Sequence, residues 1–299
     1  MPTEILSWHE AFCQHALVMK GQSRYTIAGY RDTIKSFIKF TNAVELRDIS
    51  LRSVERWIAE GTAQHGWSPV TSRGRIRYMI LFARWLVQRG LLTTDPLEGI
   101  SIPRVPKKIP RSLSKTEAED LLRFVRNCRF RSRFEGARAY AILAMFLYTG
   151  IRKRELRSLE LRDVDLANGV LSVRQGKGAK DRLIAIPPQL APILQEYLNH
   201  RLLPRYRELP YFFVGTKCRG VLNDVIIRRL VRKIREASGI YFAPHMLRHT
   251  YATLMLQGGC DIFSLSKLMG HADIKTTTIY LSATVDHLRT QVFKHPVSL

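Results

Sequence analysis

The sequence predicts a mainly α-helical protein with one small antiparallel β-sheet. Three observations carry this. Apolar residues recur at helical spacing through most of the chain, two short β-branched runs flank a Gly-rich turn, and a Pro-rich basic stretch separates two helical regions. At 299 residues the chain is long for a single core, so two domains are expected.

Residues 1–100 read as four helices with no strand and no internal repeat. "WHEAFCQHALVM" has roughly helical apolar spacing, and "SRYTIAGYRDTIKSFIKF" puts Ile27, Tyr30, Ile34, Phe37 and Ile38 on one side. In "SLRSVERWIAEG", Ser50 is the expected N-cap and Gly61 is expected near the end. The fourth helix has Ser68 as N-cap and Pro69 in its first turn, and stops at Gly90. "ISIPRVPKKIPRSLS" follows, with three prolines among basic residues and no periodicity, which is a stiff extended linker over residues 101–112.

The second region, 113–299, opens on a capping box, Ser114 and Glu117, ahead of "AEDLLRFV". "RAYAILAMFLYTG" is a core helix closed by Gly150, and "RKRELRSL" starts another. "GVLSVRQ" and "RLIAIP", separated by "GKGAKD", read as a hairpin. Helices are expected in "PQLAPILQEYLNHRLL", "LNDVIIRRLVRKIREASG", "PHMLRHTYATLML" and "IFSLSKLMG", with one more after Tyr280.

Composition narrows the function. Forty-eight Lys and Arg against 25 Asp and Glu give a net charge of +23, which calls for a polyanionic partner, nucleic acid first. The excess is uneven: residues 1–100 hold 13 basic and 9 acidic residues, and the rest hold 35 and 16. Cys13, Cys128, Cys218 and Cys260 form no CxxC pair, which argues against a zinc site or a disulfide framework and fits a reducing cytosol. "MPTEILSWHE" does not read as a signal peptide, and "AYAILAMFLY" is too short to span a bilayer.

Four stretches hold residues able to do chemistry. In "TGIRKREL", Arg152 and Glu155 share a helical face, either as a guanidinium oriented toward a phosphate or as a solvated ion pair. In "QGKGAKDR", Lys177 sits between glycines at a hairpin tip, either as an ammonium that reaches a phosphate or leaving group or as a polar turn; the spacing is not that of a Walker loop. In "PHMLRHT", His245 and Arg248 share a face at a helix start whose backbone N–H groups also attract anions. His245 and His249 are four apart, but Met246 stands where a zinc helix needs Glu and nothing completes a ligand set, so no metal is expected and His249 reads as structural. In "LMGHADIKTTTIYL", His271 and Tyr280 would face opposite ways on one continuous helix. Asp273 is therefore expected to cap a second short helix that bears Tyr280. A lone Tyr in an apolar helix is ordinarily core.

Taken together, two Arg, a Lys, two His and a Tyr make a set for phosphodiester transfer. Arginines can neutralise the non-bridging oxygens of a pentacoordinate phosphorane, and a phenol can attack phosphorus and store the bond as an ester. A Lys or His can exchange protons with nucleophile and leaving group. No carboxylate cluster suited to Mg²⁺ is seen.

From about residue 112 to 283 the chain resembles the tyrosine recombinases of the integrase/Xer class, through "YTGIRKREL", "GKGAKDR", "HMLRHTYAT", "LMGH" and "TTTIY", in that order and spacing. The resemblance implies Arg152, Lys177, His245, Arg248 and His271 as the activating set and Tyr280 as nucleophile. His271 stands where some relatives carry Trp, which points to packing and hydrogen bonding. Lys180 and Arg182 match basic positions expected to contact DNA, as are Lys107 and Lys108 in the linker. Residues 1–100 are similar in size and pattern to the family's helical (SAM-like) core-binding domain. The implied activity is site-specific strand exchange through a 3′-phosphotyrosyl bond and a Holliday junction, for integration, excision or resolution of DNA. It needs no cofactor, neither ATP nor metal. The implied partners are double-stranded target sites and a homotetramer, either alone or with a related recombinase or directionality factor, with the tail from residue 284 docking on a neighbour, in the cytoplasm at the nucleoid and with no membrane. Two rivals are relaxation of DNA as by a type IB topoisomerase, and a catalytically silent DNA-binding accessory protein.

Overall fold

The computed structural model describes residues 3–105, 110–174, 181–201, 208–215, 220, 222–270 and 277–278. Lys107, Lys108, Lys177, Lys180, His271, Tyr280, Asp273 and the tail lie outside the described residues. The chain divides into two compact units, Met1–Lys107 and Lys108–Leu299.

The first unit holds helices α1 (Glu4–Val18), α2 (Arg24–Thr41), α3 (Leu51–His65) and α4 (Pro69–Gln88). Each begins at a hydroxyl side chain: Thr3, Ser23, Ser50 and Ser68 accept the backbone N–H of Leu6, Thr26, Ser53 and Thr71. Each cap satisfies a donor that a helix start leaves open. The apolar faces meet in one core that includes Phe12, Ile34, Phe37, Trp57, Met79 and Phe82. Burying such a side chain contributes roughly 1.5–3 kcal/mol. On α2, Ile27, Ile34 and Phe37 are buried, and Tyr30 and Ile38 pack half-buried beside them.

Helix α3 runs past the position where the sequence suggests a stop. Gly61 lies inside it, and Gly66, with φ of 62°, closes it. Gly61 is there for packing, since a Cβ would collide with the Trp67 ring. That ring lies edge-on to Trp57 and carries the Arg75 guanidinium 3.8 Å from its centroid. An alanine would add about 1 kcal/mol of helix propensity, but crowding a fixed ring costs about 1–3 kcal/mol. Gly61→Ala should therefore lower stability, with a fall in the denaturation midpoint; a rise would show that the ring yields freely.

The second unit is built around α6 (Arg133–Thr149), in which Ala139 and the whole run from Ala141 to Leu147 are buried. A helix apolar on every side belongs in the middle of a core. Helices α5 (Lys115–Asn127), α8 (Ala191–Arg201) and α10 (Pro244–Gln257) pack against it. The capping box of α5 is formed, with the Ser114 N–H on Glu117 at 2.7 Å. Among the described residues, the remaining α-helices of this unit are α7 (Lys153–Ser158), α9 (Asp224–Ser238) and α11 (Ile262–Met269).

The sheet has three antiparallel strands in the order β1 (Val164–Asp165), β2 (Val170–Val173), β3 (Arg182–Ala185). The β2–β3 pair is the expected hairpin, with Leu171 opposite Ile184 and Val173 opposite Arg182. Strand β1 has two residues, too few to show a period of two, so the sequence does not announce it. Among the described residues no helix is long and apolar enough to cross a membrane.

Candidate active site

Helix α6 ends at Gly150, whose φ of 59° is left-handed and whose N–H returns to the Phe146 carbonyl. Glycine suits that backbone. It is also required for space, because a Cβ would strike the Tyr251 ring on α10. The chain then turns so that Arg152 becomes the N-cap of α7. Its backbone N–H donates to Glu155 Oε2 at 2.9 Å, and its Nη1 donates to Oε1 at 2.8 Å. Of the two readings of this pair, the solvated surface one fails, since the Glu155 side chain is only 6% exposed.

The carboxylate has a second cation. Arg182, at the start of β3, donates from Nη1 to Oε1 at 2.9 Å and from Nη2 to Oε2 at 2.8 Å. This parallel two-bond geometry is the strong form of an arginine–carboxylate pair. Burial alone would raise the carboxyl pKa, but the hydrogen bonds and charge of Arg182, then those of Arg152, outweigh it and bring it to about 2. Glu155 is therefore an anion throughout the physiological range.

Arg248 comes from the first turns of α10. It is buried, and its two terminal nitrogens donate to the carbonyls of Gly150 and, at 2.6 Å, Met269. Arg152 Nη2 donates to the Gly270 carbonyl at 2.7 Å and Arg182 Nε to the Leu268 carbonyl at 3.0 Å. Three guanidinium groups thus end on three successive carbonyls at the C-terminus of α11, where the helix dipole is negative. Gly270 closes α11 with φ of 62°.

His245 lies one turn before Arg248 and is exposed at its edge. Its pKa is lowered, first by partial burial and then by the charges of Lys153, Arg248 and Arg152. A neutral imidazole can accept a proton. Pro244 occupies the first turn of α10 as expected, and no side chain caps that end. His249 is half-buried, and burial, then His245 and Arg248, lower its pKa to about 4. Among the described residues no group of three His, Cys, Asp or Glu could hold a metal. Lys153 Nζ is held by Asp224 at 2.9 Å. Thr277 is wholly buried.

The structure brings Arg152 close to His245 and Arg248, which already neighbour one another on α10 but lie far from Arg152 in sequence. It also shows what spacing missed. Arg182, expected to contact DNA, turns its Nε and both terminal nitrogens inward, and its side chain is 10% exposed. The signal was present in strand alternation: Arg182 lies two residues before the buried Ile184, on the same face, whereas Leu183 is exposed.

Comparison with known proteins gives the family. The model of the phage integrase family matches residues 111–287. The chain is 31% identical over 291 residues to tyrosine recombinase XerA of Thermococcus kodakarensis, covering 96% of this chain and 94% of that one. It is 30% identical over 296 residues to tyrosine recombinase XerC of Thermodesulfovibrio yellowstonii, covering 96% and 95%. A crystal structure of XerA recombinase matches with a TM-score of 0.54 at 29% identity, over 98% of this chain and 99% of that one. XerH site-specific recombinase bound to palindromic difH substrate matches in fold with a TM-score of 0.73 at 22% identity, over 95% and 82%. The chain belongs to the phage integrase family and is a site-specific tyrosine recombinase, an enzyme that cleaves and rejoins DNA.

Proposed function

We propose that the Tyr280 phenol oxygen attacks the scissile phosphorus while Arg152 and Arg248 hold its non-bridging oxygens. The phosphorus–O5′ bond breaks, a 3′-phosphotyrosyl ester forms, and the 5′-oxygen leaves as a hydroxyl. His245 or Lys177 takes the phenol proton and supplies one to the leaving oxygen. The freed hydroxyl attacks the phosphotyrosine of a partner strand, and a second round resolves the Holliday junction. His271 packs and hydrogen-bonds beside the phosphate. The observation that carries this reading is the convergence of Arg152 and Arg248 on the adjacent carbonyls of Gly270 and Met269, with His245 one helical turn away.

Two guanidinium groups beside one another favour a doubly liganded anion. Lys180, Lys107 and Lys108 add phosphate contacts, and residues 1–100 grip the same duplex. Four protomers synapse two sites, with the tail from residue 284 seated on a neighbour. The task is integration, excision or resolution of DNA in the cytoplasm.

The test uses wild-type protein, nicked duplexes cut from the DNA around its own gene, and EDTA. Adducts that survive denaturant, at a yield unchanged by EDTA and without ATP, are expected, because arginine supplies the charge stabilisation. Relaxation of plasmids that lack any such site would favour the topoisomerase reading instead.

A further inference from the structure

Arg182 has a role that none of the comparisons assigns. We infer that Arg182 is a positioning residue: it neutralises and fixes Glu155 so that Arg152 keeps both its geometry and its charge for the scissile phosphate, and it does not itself touch DNA. This rests on the role proposed above for Arg152.

The geometry is specific. Glu155 accepts four hydrogen bonds, two on each oxygen, split evenly between Arg152 and Arg182. The Arg152 side chain keeps 21% exposure, whereas that of Arg182 keeps 10%. The third direction of the Arg182 fork goes to the Leu268 carbonyl, which ties the end of α11 to the same carboxylate. The space for that fork is reserved by Gly270, where a Cβ would stand 2.9 Å from both Cδ and Nη1 of Arg182.

Charge explains why a second arginine is needed. A buried carboxylate paired with Arg152 alone would cancel the charge meant for the phosphate. With Arg182 matched to Glu155, the charge of Arg152 stays available. Remove Arg182, and the carboxylate either draws Arg152 onto itself or, as pH falls, takes up a proton and lets go of it. The groups around the carboxylate are Arg152 from the α7 start and Arg182 from β3, with Arg248 and His245 on α10 close to Arg152.

The experiment compares full-length wild type, Arg182→Gln and Arg182→Lys on one nicked duplex. Three quantities are measured: the single-turnover rate of adduct formation, the Kd, and the slope of log Kd against log salt. Both variants should bind with the wild-type Kd and salt slope. Arg182→Gln should cleave on the order of tenfold slower or more, a smaller loss than the 10²–10³ of a direct transition-state donor. Arg182→Lys, which keeps the charge but not the fork, should fall between. The rate of Arg182→Gln relative to wild type should recover in part as pH drops from neutral into mild acid, because a protonated Glu155 no longer cancels the charge of Arg152. A purely structural role would not produce that pH signature.

Wild-type rates in Arg182→Gln, or in Arg182→Lys if the Gln variant does not fold, would overturn the inference. So would weaker binding with a salt slope reduced by about one, the mark of a lost phosphate contact. Failure of the wild type itself to form an adduct in the same assay would instead overturn the proposed chemistry of the site.

Discussion

A Tyr280→Phe chain is expected to form no covalent complex with nicked DNA while binding it as the wild type does. The substitution removes one oxygen, the only atom of the side chain able to form the ester. Affinity comes mainly from phosphate contacts spread over the protein, so the Kd should hardly change. Tyr251 is a poor substitute, because it is buried against Gly150 and its hydroxyl pKa is raised to about 12, by burial first. Adducts are scored on denaturing gels, and the modified peptide is identified by mass spectrometry. Adducts at the wild-type level in this variant would move the nucleophile elsewhere.

Arg248→Ala should cleave about 10²–10³-fold more slowly than wild type, equivalent to roughly 2.7–4 kcal/mol of lost transition-state stabilisation. Arg248 also tethers the carbonyls of Gly150 and Met269, so its removal disturbs the α6 and α11 ends as well as the proposed phosphate clamp. Arg248→Lys separates these effects. It keeps one cation but loses the planar fork that spans two acceptors, so its rate should recover only in part. Rates from single turnovers on nicked DNA, set against Kd from gel shifts, decide the matter. A fully active Arg248→Ala chain would remove this arginine from the phosphate clamp.

Much of the fold was legible in the sequence because its signals are local. Ser50, Ser68 and Ser114 cap the helices they were expected to cap, and the β-branched runs around the Gly-rich turn pair as a hairpin. Gly61 misled because a glycine in a helical pattern reads as a stop, whereas here it makes room for the Trp67 ring, a reason visible only in tertiary packing. The site divides in the same way. Arg152 with Glu155, and His245 with Arg248, are three residues apart, so helix geometry alone pairs them. Arg182 reaches Glu155 across 27 residues and Leu268 across 86, and no periodicity spans such separations. Its basic character, read without its neighbours, suggested a surface contact.

The buried Thr277 limits where the reaction can be delivered. Tyr280 follows it by only three residues, and a fully extended chain gains about 3.3–3.6 Å per residue. The tyrosine backbone is therefore leashed within roughly 10–11 Å of an anchor inside its own subunit. If Tyr280 is the nucleophile proposed above, using it at a more distant position would first require pulling Thr277 out of its burial site. Short-range delivery needs no such extraction.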